Sequence, residues 1–226
     1  MTFKFATANR FSKTCFMTNP TKLVLVDTNC LVRIYFSALR PILGRPVAGY
    51  ELKTLNGLAM ELKNLAKRAD LAWLSDQVIL KEVDAATVSL SKLQNDAINQ
   101  DALEIQRIGN ATLYKDFQDR KLRVLRTLSL ADAKALAASL ELNAALSTDE
   151  WPLRLVSELY DYDSGKPVEL LSSVELIGLL EKEGLMSRED RVKTYSDWLK
   201  NGEALLRESP EVYFRIFKEM PPTAQG

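Results

Sequence analysis

The sequence predicts an α/β fold of three layers, α/β/α, around a central five-stranded parallel sheet, with a C-terminal helical extension. Short apolar runs of strand length alternate with longer segments whose apolar residues recur at helical spacing. This alternation favours a parallel sheet with helices on both faces. The first apolar run ends abruptly in small polar residues, and the chain after residue 172 has helical patterns only. Its 226 residues are enough for one large domain with a small appendage.

The predicted strands are short and mostly apolar. The first, at 23–26, has four consecutive apolar residues, two of them valines, as expected of a strand that is buried on both faces. The others are predicted at 71–74, 122–125, 143–146 and 167–171.

The predicted helices fill the intervals between these runs. Within 51–69, leucines and alanines recur every three or four residues, with Lys and Glu on the opposite side. A long helical region is expected after Ser75, with Gly109 interrupting it, and 84–121 is expected to be a helical insert. The remaining helices are predicted at 30–39, at 131–140, after Glu150 with Pro152 near the first turn, at 172–183 and from Ser187 onward.

Three regions are expected along the chain: an N-terminal arm at 1–21, a main domain at 22–184 and the helical extension at 185–226. The arm is basic and has no acidic residue. Its composition resembles a basic arm or an organellar transit peptide. An over-extended start codon explains it equally well, because Met17 lies shortly before the first strand.

Composition limits the chemistry. The 30 basic and 30 acidic residues cancel, so bulk charge provides no general attraction to nucleic acid and a polyanion would need a local patch. Histidine is absent, which excludes Ser-His and Cys-His nucleophiles and His-ligated zinc. Carboxylates are therefore the abundant groups for metal binding or acid-base work.

The location is predicted from what the sequence lacks. Cys15 and Cys30 are too few for a disulfide framework or a zinc site, which fits a reducing cytoplasm. No apolar run approaches the roughly 18 residues of a membrane span, and the start lacks the apolar core of a signal peptide. We therefore expect a soluble cytoplasmic protein without membrane association.

Four acids lie at or near the starts of helices that follow predicted strands: Asp27, Glu82, Asp132 and Asp149. Each alone has a structural explanation, because a carboxylate at a helix N-terminus is stabilised by roughly 0.3 to 1 kcal/mol. Asp132, for example, has the spacing of a capping partner for Ser129. In a parallel sheet, however, all four connections lie at the same edge, so the carboxylates converge.

Converging carboxylates predict a cation site. Two carboxylates about 4 Å apart repel by roughly 4 kcal/mol at an effective dielectric of 20. Hard oxygen ligands without His or Cys suit Mg²⁺ or Mn²⁺, and such sites commonly act on phosphate esters. The pattern therefore indicates metal-assisted phosphodiester hydrolysis.

Four segments resemble the motifs of PIN-domain nucleases, a fold that many toxins of bacterial toxin-antitoxin pairs use. VDTNCLV at 26–32 resembles the opening motif, and SDQVILKEV at 75–83 resembles the segment with the second acid. LADAKALA at 130–137 is similar to the third motif and LSTD at 146–149 to the fourth. They occur in family order within about residues 22 to 180. The stretch between Glu82 and Asp132 is longer than in compact PIN toxins, and the minimal domain has no counterpart of the C-terminal tail.

The resemblance implies a site and a function. Asp27, Asp132 and Asp149 match metal ligands and Glu82 matches the catalytic glutamate, while the polar supports would be Asn29 and Thr148. It implies Mg²⁺-dependent (or Mn²⁺-dependent) cleavage of RNA, single-stranded RNA being the usual substrate. The partners it implies are RNA, an inhibitory antitoxin protein and a second copy of the chain.

Two alternatives remain at this level. A phosphatase of the haloacid dehalogenase class would have an aspartate nucleophile followed two residues later by an acid aspartate. Asn29 occupies that position and cannot donate a proton as a general acid, which disfavours this class. A catalytically degenerate PIN-like module for RNA or protein binding is the other alternative, since capping alone explains several of the acids.

Overall fold

The computed structural model describes residues 21–37, 39–47 and 49–223. Residues 1–20 of the predicted N-terminal arm lie outside the described part of the chain. Within the described residues, no helix is both long enough and apolar enough to cross a membrane.

The α/β class is confirmed, with a five-stranded sheet in the order β2-β3-β1-β4-β5. β1 pairs in parallel with β3 on one side and β4 on the other, and β4 pairs in parallel with β5. The prediction of an entirely parallel sheet was wrong, because β2 and β3 form an antiparallel hairpin at one edge. The strands are β1 Lys22–Val26, β2 Pro46–Val47, β3 Tyr50–Lys53, β4 Ala145–Ser147 and β5 Leu170–Leu171.

Two predicted strands were wrong. Residues 71–74 belong to a 3₁₀ helix, Ala69–Ser75, in which Trp73 packs on Phe36 with ring centroids 4.4 Å apart. Residues 122–125 form no regular element, and Val124 is 63% exposed. Short apolar runs do not distinguish a strand from a helical turn or an apolar loop, because periodicity needs more residues.

The predicted helix at 51–69 begins later than expected. Its first residues form β3, where Leu52 is buried in the core beside β1. Leu52 fits both the helical spacing and an apolar position in a strand. Its pairing with Val24 of β1 places it in the sheet. The helices are α1 Thr28–Tyr35, α2 Asn56–Leu65, α3 Gln77–Ala85, α4 Lys92–Asp119, α5 Leu130–Glu141, α6 Trp151–Ser157, α7 Ser173–Lys182, α8 Arg188–Lys200 and α9 Ser209–Phe217.

The predicted interruption at Gly109 was wrong, since α4 continues through it. A Cβ at Gly109 would lie 3.0 Å from Val156 and 3.1 Å from Leu128. The glycine therefore lets α4 approach α6 closely. The segment 84–121 is largely helical, as predicted, because α4 occupies most of it.

Apolar clusters cover both faces of the sheet. Val24 and Val26 of β1 face one cluster and Leu25 faces the other, following the two-residue period of a strand. Trp198 of α8 is fully buried in the first cluster, and its indole N–H donates to the carbonyl of Arg33 at 3.3 Å. The apolar core thus continues across the predicted boundary at residue 184.

Candidate functional site

Asp27 lies at the carboxyl end of β1 and caps α1. Its backbone N–H donates to the Ser147 carbonyl of β4 at 3.1 Å, which holds the residue at the edge of the sheet. Its Oδ1 accepts from the Cys30 N–H at 2.9 Å. The capping explanation is therefore confirmed for one of the two carboxylate oxygens.

The second oxygen, Oδ2 of Asp27, is buried and has no hydrogen-bond partner. The residue is only 3% exposed, so water does not replace the missing partner. Burial raises the pKa of Asp27 to about 7, and the charge of Asp149 adds to the rise. The Cys30 N–H, the nearby Thr148 hydroxyl and the charge of Arg33 favour the ionised form without offsetting burial.

Asp149 follows β4 and is the second acid of the site. Its Oδ2 accepts from Arg33 Nη1 at 2.6 Å, and its Oδ1 accepts from the Ser173 N–H at 3.1 Å. The side chains of Asp149 and Arg33 are each 2% exposed. Because water solvates neither charge, this ion pair depends on the short distance between the two groups and on their additional hydrogen bonds.

Arg33 also ties the site to the loop between α8 and α9. Its Nη2 donates to the Ala204 carbonyl at 2.7 Å, and its Nε lies 3.4 Å from a Glu203 carboxylate oxygen. One guanidinium therefore joins α1, the end of β4 and the C-terminal region. The cation that balances Asp149 comes from the chain itself.

The expected polar supports lie close to the two acids. The amide of Asn29 donates to the Glu150 carboxylate. Thr148 is fully buried, and its hydroxyl accepts from the Glu150 N–H at 3.0 Å. The turn 147–150 is thus fixed against the start of α1, which holds Asp27 and Asp149 at one sheet edge.

The other two predicted acids have different partners. Asp132 is half-buried at the start of α5, where its carboxylate accepts from the Ser129 hydroxyl at 2.7 Å in a capping box. Glu82 of α3 accepts from Arg40 Nε at 3.0 Å near the surface. Across the residues that the structure describes, His, Cys, Asp and Glu form no group of three or more able to hold a metal ion. The structure therefore brings Asp27 and Asp149 together, but not all four acids.

Cys30 is buried in the same region. Burial raises the pKa of its thiol well above the usual value, and the charges of Asp27 and Asp149 act in the same direction. The thiol is therefore uncharged at neutral pH and serves in packing, since nucleophilic or metal-binding cysteines act as thiolates.

Arg33 was not predicted as a partner of Asp149. The sequence offered one signal, an arginine on α1 six residues after Asp27 and among apolar neighbours. In the structure this arginine is only 2% exposed. No family model, curated protein or solved structure matches this chain.

Proposed function

We propose that this protein is a Mg²⁺-dependent endoribonuclease with a PIN-like site, in which Asp27 and Asp149 hold the metal ion. One observation carries the proposal: Oδ2 of Asp27 is buried without a partner at the edge of the sheet, beside a second carboxylate. The Thr148 hydroxyl offsets only part of the burial of this carboxylate, and a proton or a cation would stabilise it further. The motif resemblance and its order along the chain support the choice of a nuclease.

The donor set fits one hydrated Mg²⁺ ion. Mg²⁺ usually keeps several waters and binds through one or two protein carboxylates plus substrate phosphates. Asp27 offers a free oxygen, and each oxygen of Asp149 accepts one hydrogen bond, from Arg33 or from the Ser173 N–H, and keeps a second lone pair. Arg33 pairs with Asp149 and also lies 3.4 Å from Glu203, so its single positive charge does not balance Asp27. When bound, Mg²⁺ activates water and neutralises charge on a phosphodiester.

The residues around the acids have positioning roles in this proposal. Asn29 and Thr148 fix the turn that carries Asp149 through their contacts with Glu150. Arg33 holds the Asp149 carboxylate through their 2.6 Å ion pair. Asp132 lies in the first turn of α5, the helix that directly precedes β4. We assign Asp132 a supporting role beside the two acids. Glu82 receives no role.

The experiment combines metal binding with RNA cleavage. Wild-type protein is expected to bind Mn²⁺ in calorimetry and to cut a labelled single-stranded RNA with Mg²⁺ or Mn²⁺ but not with EDTA. Asp27→Asn is expected to lose Mn²⁺ binding and to cleave at least about a hundredfold more slowly, since metal stabilisation is worth several kcal/mol. Asp101→Asn on the exposed side of α4 is the matched control and should behave as wild type.

A degenerate PIN-like binding module is the second candidate. It is favoured by the pairing of Asp149 with Arg33 and by the engagement of Asp132 in a helix cap. This module would bind RNA without cutting it and would not bind Mn²⁺. Wild-type protein that neither binds Mn²⁺ nor cuts RNA would refute the nuclease and leave this candidate.

An inhibitory antitoxin protein and a homodimer belong to the same proposal and rest on the resemblance alone. Induced expression should arrest growth of a bacterial host if the nuclease is uninhibited, and Asp27→Asn should relieve the arrest. Unimpaired growth with soluble wild-type protein would count against a toxin.

A further inference from the structure

A concave groove of about 580 Å³ lies beside the acidic site. Its cationic wall comes from the end of α4 and the loop that follows, with Arg120, Arg123 and Arg126, and from Arg207 before α9. Trp151 at the start of α6 lines it, and Asp149 and Glu150 reach it as well. We call this surface the arginine groove. One end of it reaches Asp149 of the acidic site and the neighbouring Glu150.

Most of the positive charge in the arginine groove has no counter-ion. Arg123, Arg126 and Arg207 are exposed, and none of them forms an ion pair with any residue between 21 and 223 that the structure describes. Arg120 lies 3.6 Å from Asp116 and is 55% exposed. Like charges gathered without partners favour an anion, and guanidinium groups bind phosphates with two parallel hydrogen bonds.

Arginines elsewhere in the chain show what a purely structural role looks like. Arg191 is 1% exposed and lies 3.1 Å from Glu181 and 3.2 Å from Glu219. Arg33 is equally buried and paired with Asp149. Arg123, Arg126 and Arg207 have neither burial nor such partners, so packing does not explain their arrangement.

Trp151 adds a stacking surface to the arginine groove. Its ring is partly exposed, and the guanidinium of Arg120 lies over it at 5.8 Å from the centroid. Both tryptophan rings and arginine planes stack on unpaired bases. A base in a duplex is already stacked, so this surface favours a single strand.

We propose that the arginine groove binds the phosphate backbone of single-stranded RNA, with a base against Trp151, and leads the strand to the acidic site. The identification of RNA as the ligand rests on the proposed function. The binding step itself needs neither Asp27 nor a metal ion. Trp151 favours RNA over a membrane surface, which offers no bases to stack.

The test measures binding without cleavage. Fluorescence anisotropy in EDTA follows a labelled single-stranded RNA with wild type, with Arg123→Gln/Arg126→Gln, and with Lys92→Gln/Arg107→Gln as a control of equal charge. The control residues are exposed on α4, with Arg107 about 20 Å along the helix from Arg120 at 1.5 Å per residue. All three proteins should unfold at the same temperature, because the substituted side chains are at the surface.

The groove variant is expected to bind the single-stranded RNA at least about tenfold more weakly than wild type. In a plot of log affinity against log salt concentration, its slope should be less steep by about 1.4, which is about 0.7 for each of the two lost phosphate contacts. The control variant should keep the wild-type slope, and a duplex RNA should bind more weakly than the single strand. Equal slopes for groove and control variants would refute the proposal, as would equal affinity for duplex and single strand.

The outcomes separate the two proposals. RNA binding that depends on Arg123 and Arg126, without metal-dependent cleavage, supports the groove and refutes the nuclease. Cleavage with an unchanged KM in the groove variant supports the nuclease and refutes the groove.

Discussion

Removing the Arg33 guanidinium should strongly destabilise the fold. In Arg33→Met the methionine keeps much of the apolar stem, but Asp149 loses the 2.6 Å ion pair and retains the Ser173 N–H. Because both side chains of the pair are 2% exposed, water does not replace the lost partner. Breaking such a pair costs about 3 to 5 kcal/mol.

Urea unfolding followed by tryptophan fluorescence measures this cost, because Trp198 is buried against the Arg33 backbone. Asp149→Asn in the Arg33→Met background removes the unpaired charge and should recover about 2 kcal/mol of the loss.

Arg191→Met provides a matched comparison. Arg191 is as buried as Arg33, but its partners Glu181 and Glu219 are 28% and 36% exposed. Because both glutamate side chains are partly exposed, losing the guanidinium should cost this variant less, about 1 to 3 kcal/mol. The reasoning fails if Arg33→Met costs under about 1 kcal/mol, or if Asp149→Asn restores nothing.

Three further predictions concern the acids and one packing glycine. Burial raises the pKa of Asp27 from 3.8 to about 7. Between about pH 4 and pH 7 the metal-free folded protein therefore keeps the proton on Asp27, whereas the unfolded chain has released it. Its free energy of unfolding should fall with rising pH across that window, by up to about 4 kcal/mol, relative to Asp27→Asn, and identical pH profiles in urea titrations would contradict this. Ser129→Ala should lower the free energy of unfolding by about 1 kcal/mol, because the α5 cap is lost, without slowing RNA cleavage. Asp132→Asn should cleave RNA at least about tenfold more slowly. Equal cleavage rates for the two variants would show that Asp132 acts only as a helix cap. Gly109→Ala should destabilise by about 1 to 3 kcal/mol by overpacking, while Gly57→Ala, with open space around its Cβ position, should be neutral or stabilising in thermal unfolding.

Local sequence patterns were sufficient wherever neighbours in the chain determine the structure. The strand at 23–26 and its polar end fixed the position of Asp27, because a buried strand needs an apolar run and a helix start needs a cap. The Ser187 cap of α8 and the Pro152 position in α6 were predicted for the same reason. Such signals depend on a few adjacent residues.

Contacts between distant segments decided the rest. Pairing with β1 made a strand of residues 50–53, although their leucine fits the helical spacing of the segment that follows. The apolar run at 122–125 became an exposed loop. In these cases the local pattern allowed more than one structure, and only the tertiary partners chose between them.

The site shows the same division. The sequence by itself determined that acids follow β1 and β4 and that histidine has no role, since both follow from residue identity and order. Only the tertiary structure decided that Arg33 neutralises Asp149, because that pair joins residues 116 positions apart. It also decided that Oδ2 of Asp27 stays unpartnered. Charge balance in a buried site depends on which side chains share the same volume, and spacing along the chain does not specify this.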